Sequence, residues 1–424
     1  MHDDVAIDWR LKGFPTSLHG LKRAEVAAKQ ASILADDFPM PVAIIKDSAI
    51  RHNIAWMRAF LEAASVEICP HGKTTMSPEL FALQRENGVW GMTAATAHHV
   101  RIYRQWGVSR ILLANQLVSP GDMALIFDEL EKDAEFEFFC LLDSVEGTDR
   151  LAAAARGRQL GRRLNVLIEM GAAQGRTGVR SVAGGTDLSA HIMEQQDVLA
   201  LRGVEIFEGI FSSDGDGPDQ ARDLLSEMIK LVAELYAAGH FAKGEILLTG
   251  GGSSLFDLCA ELLSRVDLAG RQRIILRSGC YIVHDHGTYV RAFDAIRKRR
   301  PEIDLIGPGP RAALEVWAVI QSVPAPGEAI ASLGKRDVGF DADLPVAIWH
   351  YRPGVDTNPR PVTGTLCITK LYDQHACLAG PADLEVGDLI GFGVSHPCTT
   401  FDKWRALPVL DDNYVMTSFV TTMF

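Results

Sequence analysis

Short apolar runs alternate along this chain with longer stretches of helical periodicity. The runs Val66–Pro70, Val89–Thr93, Arg110–Asn115, Phe136–Leu142, Leu164–Met170, Val204–Ile210, Glu245–Thr249 and Arg273–Arg277 are rich in β-branched and aliphatic residues. Between them, Ser77–Asn87, Thr96–Trp106, Thr148–Leu160 and Gln220–Ala238 carry apolar residues at i, i+3 and i+4 among good helix formers. Strands so continuously apolar are buried on both faces, as in a parallel sheet. This alternation predicts an α/β fold, a (β/α)8 TIM-type barrel, with an open doubly wound sheet as the alternative.

The texture changes after Arg300. Gly307-Pro308-Gly309-Pro310 and Pro324-Ala325-Pro326-Gly327 punctuate short strand-like runs, Glu315–Val323, Val346–Trp349, Val362–Thr369 and Leu389–Val394. The expected organisation is an N-terminal extension over 1–38 with a helix at Lys22–Ala35, and a strand within 39–50 (Pro41–Lys46) that joins the second domain. The barrel then covers 51–305 and a mostly β C-terminal domain covers 306–424.

Composition narrows the classes. The 424 residues are 47% hydrophobic and 23% charged, and 42 Lys+Arg against 54 Asp+Glu leave a net charge of −12. An acidic surface argues against a dedicated partner of nucleic acid or anionic membranes. No apolar run approaches the ~18 residues of a membrane span. The start, Met1-His2-Asp3-Asp4, is acidic where a secretion signal is basic, and seven cysteines are too few for a disulfide framework, so a cytoplasmic enzyme is expected.

Barrel enzymes react at the C-terminal ends of their strands. The first such end runs into Pro70-His71-Gly72-Lys73-Thr74-Thr75. A lysine there, partly desolvated, could form a Schiff base; a solvated loop lysine is the plain alternative. Two later ends, Thr249-Gly250-Gly251-Gly252-Ser253-Ser254 and Arg277-Ser278-Gly279-Cys280-Tyr281, are rich in backbone and hydroxyl donors for a phosphate. Arg176 lies in the glycine-rich stretch Glu169–Gly178 and either binds an oxygen anion or makes a surface ion pair. In Ser395-His396-Pro397-Cys398, imidazole and thiolate suit a zinc ion left open for water or substrate, although such pairs also arise by coincidence. His284-Asp285-His286 reads as a polar loop, His98-His99 as part of a helix, and the other cysteines as core.

Taken in order, Pro70–Thr74, the loop with Arg176, Gly250–Ser254 and His396-Pro397-Cys398 resemble the D-serine dehydratase/D-threonine aldolase family. These are fold-type III pyridoxal-phosphate enzymes related to alanine racemase, built as a barrel plus a β domain and usually dimeric. The resemblance implies Lys73 as the catalytic lysine that carries pyridoxal 5'-phosphate and Arg176 near the cofactor's phenolic oxygen. It implies Gly251, Gly252, Ser278, Gly279 and Tyr281 as the phosphate cradle, and His396 and Cys398 as Zn2+ ligands. Relatives commonly have a tyrosine where this chain has Phe207-Glu208-Gly209, and Glu208 is expected beside the pyridine nitrogen. The activity implied is zinc-assisted β-elimination from a D-3-hydroxy amino acid, most simply D-serine to pyruvate and ammonia. The alternatives are an aldolase acting on D-threonine or D-3-hydroxyaspartate, and a non-catalytic pyridoxal-phosphate protein.

Overall fold

In the computed structural model, which describes residues 5–362, 366–380 and 383–424, one strand, β1 (Val42–Lys46), precedes the eight strands of a parallel sheet. These are β2 (Glu67–Ile68), β3 (Met92–Ala94), β4 (Arg110–Gln116), β5 (Glu137–Leu142), β6 (Leu164–Met170), β7 (Leu199–Ile206), β8 (Ile246–Gly250) and β9 (Gln272–Leu276). They pair in the order β2-β9-β8-β7-β6-β5-β4-β3. The seam between β2 and β3 closes through the Trp90 N–H on the Ile68 carbonyl (2.8 Å), the Thr93 N–H on the Pro70 carbonyl (2.9 Å) and a bridge between His71 and Thr93. The sheet is therefore curled into a (β/α)8 barrel rather than opened into a doubly wound layer.

Alternate strand residues, among them Cys69, Leu112, Phe139, Leu167, Leu247 and Ile275, fill the barrel interior, and the outward ones pack under the helices. Several helices begin where the sequence supplies a hydroxyl cap. Ser77, Thr96, Ser144 and Ser181 accept the N–H of Leu80, His99, Gly147 and Gly184 respectively. Thr96 and Ser144 start their helices just past the ends of β3 and β5, whereas Ser77 and Ser181 close the longer loops that carry Lys73 and Arg176.

The C-terminal domain comprises β10 (Leu314–Ala325), β11 (Glu328–Ala331), β12 (Val346–Tyr351), β13 (Arg360–Pro361), β14 (Cys367–Leu371), β15 (Ala376–Ala379), β16 (Leu389–Gly393), β17 (Ala406–Leu410) and β18 (Met416–Thr421). Its main sheet runs β13-β12-β16-β10-β1-β17-β18, so the early strand β1 lies inside it, antiparallel to β10 and parallel to β17. A barrel helix, Asp47–Ala64, follows β1 directly and ties the two domains. The N-terminal segment packs on the same sheet, burying Ile7, Phe14, Leu18 and Val26 against Trp317 and Phe419. Among the described residues no helix is long and apolar enough to cross a membrane. Residues 363–365 of the expected strand Val362–Thr369, and the acidic residues 1–4, lie outside the described residues.

Two elements differ from expectation. The helix anticipated at Lys22–Ala35 is broken into Arg23–Val26 and two 3-10 turns, Ala27–Lys29 and Ile33–Ala35. Gln30 turns left-handed (φ 53°), and Ser32 starts a new turn by accepting the Leu34 N–H. The strand anticipated at Val204–Ile210 instead runs over Leu199–Ile206, and Glu208–Ile210 is a 3-10 turn. The polar Arg202-Gly203 step hid its first half: the register against β6 shifts there, from Val166 opposite Leu201 to Leu167 opposite Gly203. A Cβ on Gly203 would lie 1.9 Å from the Leu247 carbonyl oxygen of β8. Gly203→Ala is accordingly expected to destabilise the protein by about 2–3 kcal/mol through overpacking of the strand pair. Urea unfolding tests this, and an unchanged midpoint and slope would show that the β7–β8 contact can relax freely.

Candidate active site

The C-terminal ends of every barrel strand except β5 contribute to one cavity of about 230 Å3 at the barrel mouth. His71 and Lys73 follow β2, Asn115 ends β4, Glu169 ends β6, Glu205 ends β7, and Gly252 and Arg277 follow β8 and β9. At its floor Arg277 (6% exposed) forms an ion pair with Glu205 (1% exposed). The Arg277 guanidinium also donates to the Ile206 carbonyl (2.5 Å), and its backbone N–H reaches the Gly250 carbonyl (3.0 Å). Burial pushes the Glu205 carboxyl up to about 8, against the opposing pull of Arg277.

One wall is the loop after β6. Thr177 donates to Glu169 (2.8 Å), Gln116 donates to the same carboxylate (2.5 Å), and Arg180 laces the loop by donating to the Arg176, Thr177 and Gly178 carbonyls. This bracing holds Arg176 over the Phe207 ring, 4.6 Å from its centroid, with its guanidinium exposed at the mouth. Lys73 also lies exposed at the rim, in the turn Gly72–Thr74, rather than desolvated as its position in the sequence suggested. His71 beside it is held well below its ordinary value by burial, with Lys73, Arg277 and Arg176 adding repulsion.

Gly251 and Gly252 aim their N–H groups at one anion, and that anion is Glu208. Its carboxylate, fully buried, accepts both at 3.0 and 2.5 Å. The residue expected beside a pyridine nitrogen thus sits in part of the expected phosphate cradle. The other part remains available. The N–H groups of Gly279 and Cys280 have no acceptor among the described residues, and a Cβ on Gly279 would come within 2.4 Å of the His71 carbonyl oxygen. Ser278 spends its hydroxyl tying the two loops, donating to the Gly251 carbonyl (2.9 Å). Tyr281 accepts from Gln84 (3.2 Å) and lines a separate small cavity, not the one that Lys73 lines.

The second motif abuts the first. His396 follows β16, and Cys398 opens the short helix Cys398–Phe401. The Cys398 Sγ lies 3.6 Å from the Thr74 Oγ1, next in sequence to Lys73, and 3.5 Å from the Cys280 Sγ. Asp341 holds the His396 Nδ1 (2.5 Å) and also accepts from Thr399 (2.6 Å). Contact with Cys398 and then Asp341 raises His396 to about 9, while Cys280 and His396 push the Cys398 thiol well below its ordinary value. Asp285 instead caps a helix, accepting the N–H groups of Gly287, Tyr289 and Val290, so the His284-Asp285-His286 loop is structural.

Both anticipated groups can be tested against these residues. Among the described residues the buried His71 Nδ1 and Arg277 Nε have no partner, both residues line the cavity, and an amine, a guanidinium and free N–H groups surround it, which fits a phosphate-bearing carbonyl compound. No group of three or more His, Cys, Asp or Glu among the described residues is arranged to hold a metal. His396 and Cys398 fit only an open site of two protein ligands, with Asp341 orienting the imidazole from behind. Sequence reasoning missed His71, Asn115, Glu169, Glu205 and Arg277. The signal was present for three of them, since His71, Glu169 and Arg277 stand inside motifs from which other residues were drawn.

Comparison with known proteins fits this geometry. A family model for the alanine racemase N-terminal domain matches residues 45–255, and one for a putative serine dehydratase domain matches residues 313–410. The chain belongs to the alanine racemase-like, fold-type III family of pyridoxal-phosphate proteins. Within it, the similarities run to a D-threonine aldolase of Arthrobacter sp., 22% identical over 88% of this chain and 90% of that protein. They run also to the D-threo-3-hydroxyaspartate dehydratase of Delftia sp. (strain HT23), 30% identical over 33% of this chain and 35% of that protein. The structure of that dehydratase superposes with a TM-score of 0.72 (22% identity, 93% and 99% coverage). The D-threonine aldolase of Filomicrobium marinum superposes with 0.73 (19% identity, 91% and 95% coverage).

Arg277→Met should cost about 3–5 kcal/mol at pH 8.5, where Glu205, without the cation that lowers it, must either stay charged alone or take up a proton from alkaline solution. The penalty should shrink at pH 6. A carboxyl whose folded pKa is raised gains stability as pH falls below that value, because the folded chain then takes up a proton that the unfolded chain does not. Urea unfolding at the two pH values measures this, and a penalty equal at both would mean that Glu205 is not the group left exposed to its own charge.

Proposed function

We propose that this chain is a pyridoxal-phosphate- and zinc-dependent lyase that removes the β-hydroxyl of a D-3-hydroxy amino acid, with D-serine the simplest substrate and pyruvate and ammonia the products. The observation that carries this reading is the contact between Cys398 and Thr74, which sets the His-x-Cys motif against the turn that carries the base Lys73. The relatives lend support. Variants of a structurally similar D-threo-3-hydroxyaspartate dehydratase replace a histidine and a cysteine two positions apart by alanine, and the cysteine variant is in a metal-free form. That is the spacing of His396 and Cys398.

Bound in the cavity, pyridoxal phosphate would supply an electron sink that acidifies the Cα–H of an amino acid. Lys73, Arg176, Gly279 and Cys280 would hold it. Zinc on the His396 Nε2 and the Cys398 Sγ would supply a Lewis acid for the substrate's β-oxygen. Lys73 Nζ, at the rim and without a carboxylate partner among the described residues, is the base for the Cα proton. The Arg176 fork stands over Phe207, where it would steady an anionic oxygen. Glu205 and Arg277 close the floor with paired charge, so the cavity's polarity is set before any ligand enters. The hydroxyl leaves once a proton reaches its oxygen, so water departs as Cα loses hydrogen.

A second reading, aldol cleavage of a compound such as D-threonine, is favoured by the Arthrobacter relative, which matches most of this chain. There a base takes the hydroxyl proton and the Cα–Cβ bond breaks. Incubating the cofactor- and zinc-loaded protein with D-serine and D-threonine separates the two. A 2-oxo acid and ammonia are expected; glycine and acetaldehyde would replace elimination by the aldolase, and no turnover of either would leave a non-catalytic cofactor protein. Lys73→Ala should lower turnover by at least ~10²–10⁴-fold. Asp341→Asn should weaken zinc binding by roughly 10–100-fold while the cofactor stays bound. Zinc titration monitored by mass spectrometry reads this directly, and unchanged affinity would remove Asp341 and His396 from the metal site.

A further inference from the structure

Cys280 opens the turn Cys280–Ile282 after β9, and Cys398 opens a helix of the C-terminal domain. Although 118 positions apart, their Sγ atoms lie 3.5 Å from one another. Among the described residues this is the one contact between two thiols. Thr74 Oγ1 stands between them, 3.7 Å from Cys280 and 3.6 Å from Cys398. Cys280 is buried, whereas Cys398 is half-buried. A disulfide bond of ~2.05 Å needs the sulfurs to close by about 1.5 Å, a movement that side-chain rotation can supply. Neither the metal motif nor the cofactor cavity as read above uses the Cys280 thiol.

We propose that Cys280 and Cys398 are a peroxide-oxidised thiol pair whose disulfide withdraws the Cys398 sulfur from metal binding. The oxidant is hydrogen peroxide. The Cys398 sulfur attacks the O–O bond, takes one oxygen to become a sulfenic acid, and one water leaves. The Cys280 sulfur then attacks the Cys398 sulfur, the S–S bond forms, and the second water leaves. Two thiols give up two electrons, one peroxide is reduced to two waters, and both thiol hydrogens end in water. The loss of metal rests on the function proposed above; the disulfide itself does not.

The test uses the purified full-length chain, with and without added Zn2+, treated with hydrogen peroxide, blocked with an alkylating agent and mapped by mass spectrometry without reduction. A cross-linked Cys280–Cys398 peptide is expected, reversed by dithiothreitol, with bound zinc falling as it accumulates. Added zinc should slow its formation. In Cys280→Ser the cross-link should vanish and Cys398 should proceed to sulfinic acid. Absence of the cross-link in the unaltered chain, or cross-linking through Cys367 or Cys377 instead, would overturn the pair. A cross-link that forms with no effect on bound zinc would uphold the thiol pair and overturn the metal reading.

Discussion

The buried Arg277–Glu205 ion pair is the constraint around which the barrel mouth is built. Two charges cannot lie at the floor of a cavity unless each satisfies the other, and the pair is further tied to the ends of β7 and β8 through the Ile206 and Gly250 carbonyls. That clamp fixes where the loops after β7, β8 and β9 begin. Glu208 and the Gly251–Gly252 amides then fall into register, and Ser278 locks the β8 and β9 loops together. The rim groups, Lys73 and Arg176, are exposed and free to meet a ligand because the paired charge is kept beneath them.

A second constraint joins the domains. Strand β1 belongs to the C-terminal sheet, yet leads directly into a barrel helix, so the sheet cannot move far from the barrel without unravelling that helix. At the other end of the chain, Thr421 in β18 donates to Glu79 of the barrel helix Pro78–Glu86, which also pairs with Arg23. The chain's beginning and end thus brace the helix that follows the lysine turn. Cys398 and His396 reach the mouth as a consequence of this docking, not through any local feature of their own segment.

Much of this was legible in the sequence, and the parts that were not share a cause. Apolar runs alternating with helical periodicity report local burial, so the barrel and the β domain could be read directly. Lysine after a strand and glycines after two others report strand ends, so the side of the barrel that carries the site was also readable. Side-chain direction was not. Nothing local says that Tyr281 turns toward Gln84, or that Glu208 lands on two backbone amides rather than at a ring nitrogen. Contacts between distant segments were equally hidden. The Cys280–Cys398 approach and the Glu205–Arg277 pair depend on which strands become neighbours, and each partner taken alone looks like a core cysteine or an ordinary charge.

The proposed function puts the cofactor on one exposed amine at the barrel rim. Sodium borohydride reduction of the protein after incubation with pyridoxal phosphate, followed by peptide mapping, reads that attachment. A pyridoxyl label on Lys73 and on no other lysine is expected; a label elsewhere, or none, overturns it.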